Sequence, residues 1–118
     1  MSTIDDKLNY LIENSGGVNK VVTGSTNTSK SFSIQAEKGA KMVILWWFPL
    51  ETCCYGGMAA FDKEGTINLK IETSGKDATP VQNKISNISF TDTTISAYLN
   101  SFTLNNTSGT IYYSIIYW

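Results

Sequence analysis

The chain has 118 residues, a formal net charge of −1 and no histidine. Without histidine it lacks the commonest general base, the Ser-His-Asp arrangement and the usual ligand of zinc, iron and copper sites, so whole classes of enzyme are excluded. All nine basic residues are lysines and they form no basic stripe, so we expect no nucleic-acid partner. The length fits one domain, and 42% apolar with only 16% charged residues is typical of a β-rich protein.

The N-terminal segment is the one region with a helical pattern. Residues 3–14 are predicted to form a short helix that Thr3 can cap and that Ser15, Gly16 and Gly17 end. Its apolar stripe consists of Ile4, Leu8, Leu11 and Ile12. A helix this short is unstable alone in water, so the stripe must dock, either on the protein's own sheet or in a parallel bundle of helices from neighbouring subunits. The glycine pair slightly favours the bundle, because it lets the helix point away from the following chain.

From residue 18 onward the apolar pattern has the period of two that is typical of strands. The predicted strands are 18–22, 31–36, 41–50, 55–61, 66–72, 84–90, 95–104 and 109–118, with a polar loop at 23–29. Turns are predicted at 37–39 and 62–65, each closing a hairpin, and Pro80 fits the start of an edge strand. About eight short strands without crossover helices predict an all-β fold: an antiparallel β-sandwich, jelly-roll-like, preceded by one short N-terminal helix. We expect residues 1–17 to form the helix and glycine hinge, with the helix as a candidate oligomerisation segment, and residues 18–118 to form the sandwich domain.

Two predicted strands are apolar on both faces, although each sheet of a small sandwich has only one inner face. In the first, we expect Met42, Ile44, Trp46 and Phe48 to fill the core and Val43, Leu45 and Trp47 to face a second partner. The last strand, 109–118, repeats the pattern. This surplus of apolar surface implies a second buried surface, supplied by the helix, by neighbouring subunits or by a ligand, and of these we expect a homo-oligomer. The expected interface residues are Ile4, Leu8, Leu11, Ile12 and Trp118.

No motif predicts catalysis, a metal site or a cofactor. Cys53 and Cys54 are expected to be reduced, one on each side of a strand, because adjacent cysteines close only a strained ring. Paired carboxylates are the enzymatic alternative, since glycoside hydrolysis needs no histidine. The candidates are Glu51, Asp62, Glu64, Glu72 and Asp92, all of which we expect to be solvated surface acids.

Aromatic residues are the remaining resource for binding, with three Trp, six Tyr and five Phe. An exposed ring beside Asn, Ser and Thr can cover the apolar face of a sugar while the amides and hydroxyls bind its hydroxyl groups. The candidate ligand-binding residues are Trp47, Tyr55, Tyr98 and Tyr112. Each of these types lies more often in a core or an interface than in a ligand site.

Residues 3–14 resemble the short N-terminal helices of bacteriophage tail-fibre and other minor virion proteins, and residues 102–113 resemble the closing hairpin of β-sandwich tips in such proteins. The resemblance implies a homotrimer that decorates a virion or recognises a host-surface glycan. The chain departs from a full fibre because it has no long repetitive shaft.

The expected function is therefore a non-enzymatic phage-type structural or host-receptor-binding module. The alternative is a monomeric bacterial carbohydrate-binding module. The start of the chain predicts no signal peptide, and the longest apolar run is about half the length of a membrane-spanning helix. We therefore expect no membrane insertion, and a location in the virion if the protein is phage-derived and in the cytoplasm otherwise.

Overall fold

The computed structural model describes residues 20–28, 30–48, 56–75, 78–104 and 110–118. Within these ranges the chain forms nine strands and no α-helix. The strands are β1 (Lys20–Asn27), β2 (Ser31–Gln35), β3 (Ala40–Trp47), β4 (Gly56–Asp62), β5 (Asn68–Thr73), β6 (Val81–Asn83), β7 (Ser86–Phe90), β8 (Thr94–Tyr98) and β9 (Thr110–Tyr117). The prediction of an all-β chain is confirmed. The predicted helix, residues 3–14, lies outside the described residues.

The strands form two antiparallel sheets that share one core. The large sheet has the order β1-β9-β3-β4-β5-β6 and the small sheet has the order β2-β8-β7. Phe32 of β2 meets Phe61 of β4 and Tyr113 of β9 edge-on, with ring centroids 6.4 and 6.1 Å apart. Phe90 of β7 meets Phe61 in the same way. We call the sides that face each other the inner faces and the opposite sides the outer faces.

Two predicted boundaries are wrong. β1 continues to Asn27 through the predicted polar loop, because it pairs residue for residue with β9 from Lys20 opposite Tyr117 to Asn27 opposite Thr110. Hydroxyl side chains suit such an edge strand, and the ladder outweighs their preference for turns. The predicted strand 95–104 ends at Tyr98. The chain then turns at Asn100, whose φ of 46° is left-handed.

The predicted turns are present, but only one closes a hairpin. Gly65 has a φ of 79° and closes the hairpin of β4 and β5, as predicted. Gly39 has a φ of 98°, but its turn carries the chain from β2 in the small sheet to β3 in the large sheet. The glycine fixes the reversal of direction, whereas pairing with β8 or with β9 fixes the sheet. β6 follows Pro80 at the edge of the large sheet, which confirms that prediction.

The core face of β3 is opposite to the one predicted. Val43, Leu45 and Trp47 are fully buried, whereas the alternate residues such as Met42 and Trp46 lie on the outer face and are partly exposed. Both faces of β3 are apolar, so hydropathy could not choose between them. The core of the protein comprises Phe32, Ile34, Ala40, Val43, Leu45, Trp47, Ala59, Phe61, Ile85, Ile95, Ala97, Leu99, Leu104, Ile111, Ile115 and Tyr117.

Candidate functional site

The candidate functional site is the outer face of the large sheet. Strand pairing places its apolar side chains side by side: Trp46 lies opposite Met58 and Tyr112, and Met58 lies opposite Ile71. We define the outer apolar face as Val21, Met42, Ile44, Trp46, Phe48, Met58, Ala60, Leu69, Ile71, Tyr112, Ile116 and Trp118. Residues opposite one another in a sheet point to the same side, so these side chains form one continuous surface.

Three aromatic rings form the centre of one end of this face. The rings of Trp46 and Tyr112 are stacked, with centroids 6.2 Å apart and planes at 22°. Phe48 lies on the other side of Tyr112, also at 6.2 Å. Phe48 is 60% exposed and Met58 is 53% exposed. Large apolar side chains this accessible, in one contiguous group, are typical of protein–protein interfaces and of ligand-binding surfaces.

The face of β5 that lies inside the protein is also opposite to the expected one. Leu69 and Ile71 point to the outer face, while Lys70 and Glu72 point into the protein and are 0% and 1% exposed. Glu72 was expected on a solvated face, and that expectation is wrong. The physical reason lies in residues 99–104, which supply polar partners for both charged groups. With those partners in place, the inner face of β5 accepts the charged residues and the outer face keeps the apolar ones.

Lys70 is held by an ion pair and by backbone carbonyl groups. Its ammonium lies 2.8 Å from Oε1 of Glu72. It also donates hydrogen bonds to the carbonyl oxygens of Leu99, at 2.6 Å, and Asn100, at 2.7 Å. A buried ammonium is tolerated only with such a set of acceptors. The lysine therefore ties the turn after β8 to the large sheet.

Glu72 completes the same network through its other oxygen. Oε2 accepts hydrogen bonds from Oγ of Ser101, from the backbone N–H of Thr103 and from Oγ1 of Thr103, at 2.7, 2.9 and 2.8 Å. Burial raises the pKa of Glu72, but the Lys70 ammonium and the hydrogen bonds from Thr103 and Ser101 outweigh it and hold the pKa below the ordinary carboxyl value. The carboxylate is enclosed, with Oε1 beside the Lys70 ammonium and Oε2 bound by Ser101 and Thr103, so its role here is to hold residues 101–104 on β5.

The other carboxylates named as enzymatic candidates do not gather around Glu72. Asp62 was also expected to be a solvated acid, and that expectation is wrong: it is buried at the end of β4, because its Oδ1 accepts a hydrogen bond from the N–H of Ile67 across the turn to β5. Glu64 and Asp92 are exposed, and Glu51 lies outside the described residues. No pair of these acids forms a shared site in the part of the chain that the structure describes.

Trp47 cannot serve as a sugar platform, because its side chain is fully buried. Its indole N–H donates a hydrogen bond to Oγ1 of Thr103 at 2.5 Å. The ring lies against Gly57, its neighbour on β4, where a Cβ would come within 2.3 Å of it. A glycine opposite a tryptophan on the neighbouring strand is the signal that could have predicted this packing.

The remaining predicted site residues do not come together. Tyr98 is partly buried on β8 in the small sheet, whereas Tyr112 is exposed on the outer apolar face of the large sheet. Trp118, a predicted interface residue, is also exposed on that face. Tyr55 lies outside the described residues, as do Cys53 and Cys54 and the four helix residues Ile4, Leu8, Leu11 and Ile12.

A second surface feature is an open cleft of about 550 Å³ between the edge strands β1 and β2. It is lined by Val22, Gln35, Ala36, Glu37, Thr93, Thr94, Ile115 and Tyr117. At its mouth the Tyr117 hydroxyl accepts a hydrogen bond from the N–H of Glu37 at 3.0 Å. Lys20 pairs with the Glu37 carboxylate, and its ammonium lies 4.5 Å from the centre of the Tyr117 ring. The hydrogen bond from Lys20 to Glu37 raises the pKa of this exposed lysine.

Comparisons with protein-family models, with curated proteins and with solved structures found no match for this chain. Among the described residues, no group of three or more His, Cys, Asp or Glu side chains could hold a metal ion. No helix in the same residues has the length and hydrophobicity needed to cross a membrane.

Proposed function

We propose that the protein is a non-enzymatic assembly module, a phage-type structural or host-receptor-binding protein, in which the outer apolar face packs against another copy of the chain. One observation carries the proposal. Lys70 and Glu72 are buried on the inner side of β5, while Leu69 and Ile71 of the same strand point outward. An isolated sandwich gains nothing from apolar side chains on the outer side of β5, whereas a subunit whose outer face is covered does.

The size of the face is consistent with a subunit interface. Strands β9, β3, β4 and β5 lie about 4.8 Å apart and rise about 3.3 Å per residue, so the four together span roughly 19 by 23 Å, or about 440 Å² in projection. The accessible surface of protruding side chains exceeds this projection. The projection alone is within the range of the largest apolar patch on a typical monomer, about 300–600 Å², and such patches are often functional. It is a little over half of the roughly 800 Å² that each partner buries in a standard interface.

The type of sandwich in this proposal comes from the strand pairing, and the number of subunits, the location and the receptor class come from the resemblance. The first strand pairs with the last, β1 with β9, and the second pairs with the eighth, β2 with β8. A chain folded back on itself in this way supports a jelly-roll-like sandwich. The resemblance to virion proteins implies three subunits, a location in the virion and a host-surface glycan as the receptor class. An N-terminal helix before the sandwich belongs to the same proposal.

Light scattering coupled to size exclusion tests the assembly. We expect the full chain to run as an oligomer over a dilution series that reaches nanomolar protein, and Met58→Lys or Leu69→Lys to shift it to monomer. Both side chains are already accessible, so these changes leave the folded subunit intact. Ser33→Lys, on the exposed outer side of the small sheet, is the matched control and retains the oligomer. A wild-type chain that is monomeric throughout contradicts the proposal.

The aromatic end of the outer apolar face favours a second candidate function, a monomeric carbohydrate-binding module. Phe48 and Tyr112 are exposed beside Trp46. Ser25 lies opposite Tyr112 on β1, and Ser114 follows Tyr112 by two residues on the same face of β9. Rings next to hydroxyl groups can bind a sugar. A glycan screen with Tyr112→Ala as the binding-deficient variant separates the two functions. Sugar binding by a stable monomer, lost in that variant, supports the second; a stable oligomer without sugar binding supports a purely structural role.

A further inference from the structure

We propose that residues 3–14 dock as a helix in the cleft between β1 and β2 of the same chain, antiparallel to β1. This site is on the inner side of the large sheet, so the inference does not depend on assembly through the outer apolar face. It assigns the apolar stripe of the segment to an intramolecular site in place of a bundle between subunits. The occupant is a named part of this chain, and four observations on the sandwich support it.

The first observation is that, among the described residues, one part of the inner face lacks cover. The small sheet has three strands against six, and its edge strand β2 packs below β9 through Phe32 and Tyr113. Val22 of β1 points inward beside the buried Ile115, yet it is 37% exposed because it borders the cleft. An inward valine at the open side of a sandwich needs a further element to bury it.

The second observation is where the preceding chain arrives. β1 begins at Lys20, which contacts both Glu37 and Tyr117 at the mouth of the cleft. Nineteen residues precede it, and residues 15–19, with Gly16 and Gly17, can reverse the chain direction. The C-terminal end of residues 3–14 is therefore only five residues from the strand that borders the cleft.

The third observation is the match in length. A helix of residues 3–14 is about 18 Å long at 1.5 Å per residue. The eight residues of β1 span about 26 Å at 3.3 Å per residue. A helix that returns along β1 after a five-residue link therefore stays within the length of the strand.

The fourth observation is chemical complementarity. The floor of the cleft is apolar at Val22 and Ile115, and the Tyr113 ring extends it over Gly24. The stripe of the segment is formed by Ile4, Leu8, Leu11 and Ile12. In the antiparallel orientation, Leu11 and Ile12 meet the Val22 end of the cleft.

The charges at the far end match as well. Asp5 and Asp6 begin the predicted helix, so the antiparallel orientation carries them toward the end of β1 at Asn27. Lys30 lies there, in the short connection that leads into β2. A lysine near two aspartates of the first helical turn favours this direction over the reverse one.

Hydrogen–deuterium exchange on the full chain tests the site through the peptide that covers residues 3–14. We expect its amides to be protected to the same extent above and below the concentration at which any oligomer dissociates. Val22→Asp places a charge against the stripe, and we expect it to accelerate exchange of this peptide by about tenfold or more. Val21→Asp is the matched control: the adjacent residue of the same strand points to the outer face, and the change leaves the protection intact.

A second pair of variants on the segment itself guards against loss of folding. Leu11→Asp is expected to abolish protection of residues 3–14, and Asn9→Asp, which the helical pattern places off the apolar stripe, to leave it intact. The peptide containing β9 reports that the sandwich is folded in every variant. Protection that disappears on dilution to monomer, or that responds to Val21→Asp and not to Val22→Asp, overturns the proposal. Met58→Lys separates the two proposals, because it removes the oligomer and leaves this protection unchanged.

Discussion

The buried pair of Lys70 and Glu72 gives the sharpest test of how the sandwich is held together. Lys70→Met leaves an enclosed carboxylate without a countercharge and two carbonyl groups without a donor, and Glu72→Gln leaves an enclosed ammonium facing an amide. Breaking a buried ion pair in this way costs about 3–5 kcal/mol. The whole free energy of unfolding for 118 residues is roughly 6–18 kcal/mol. Each single change therefore removes a large part of the stability.

The double variant is expected to be far less unstable than the sum of the two single variants. The side-chain amide oxygen that Glu72→Gln introduces still accepts the hydrogen bonds of Ser101 and Thr103, and the methionine of Lys70→Met fills the space of the lysine stem. What remains is the loss of two carbonyl hydrogen bonds and one unpaired amide NH2 group at the former Oε1 position, each costing about 1 kcal/mol at the lower end. The coupling free energy between the two positions is then about 3 kcal/mol or more.

Urea unfolding followed by tryptophan fluorescence measures these free energies, with all variants built on Met58→Lys and compared at one protein concentration so that subunit dissociation does not contribute. Lys84→Met is the matched control, because this lysine is exposed, and it is expected to stay within about 0.5 kcal/mol of its parent. Single-variant effects that add to within about 0.5 kcal/mol of the double-variant effect refute the network as described.

Two further predictions concern the same side of the core. Gly57→Ala is expected to destabilise the protein by about 1–3 kcal/mol, because a Cβ would lie 2.3 Å from the fully buried Trp47 ring. Gly75→Ala, where no atom lies within 4 Å, is expected to be neutral or stabilising by under about 1 kcal/mol in the same urea titration. The pKa of Glu72 is lower in the folded protein than in the unfolded chain, so its contribution to stability is complete above the unfolded value, about 4.3, and is lost as the pH falls through the folded value. We expect Glu72→Gln to weaken the fall in stability below about pH 4.3; an acid transition of unchanged steepness would contradict this.

The sequence alone was enough to predict the elements with strong local signals. Alternating side chains marked most strands, Gly39 and Gly65 marked the turns, and Pro80 marked the start of an edge strand. Each of these is a property of a few consecutive residues, set by backbone geometry, so no tertiary information was needed. The surplus of apolar side chains on β3 and β9 was visible for the same reason.

Only the tertiary structure decided which face of each strand lies inside. Alternation groups Val43 with Leu45 and Lys70 with Glu72, but it assigns neither group to the core. That choice depends on partners distant in the sequence: Phe61 and Ile115 beside Val43, and residues 99–104 around the charged pair. Because those partners bind the charged groups on the inside, the apolar side chains of β5 join those of β3 and β9 on the outer face. The candidate site therefore contains Met42, Ile44, Trp46 and Phe48, the residues that the sequence predicted in the core.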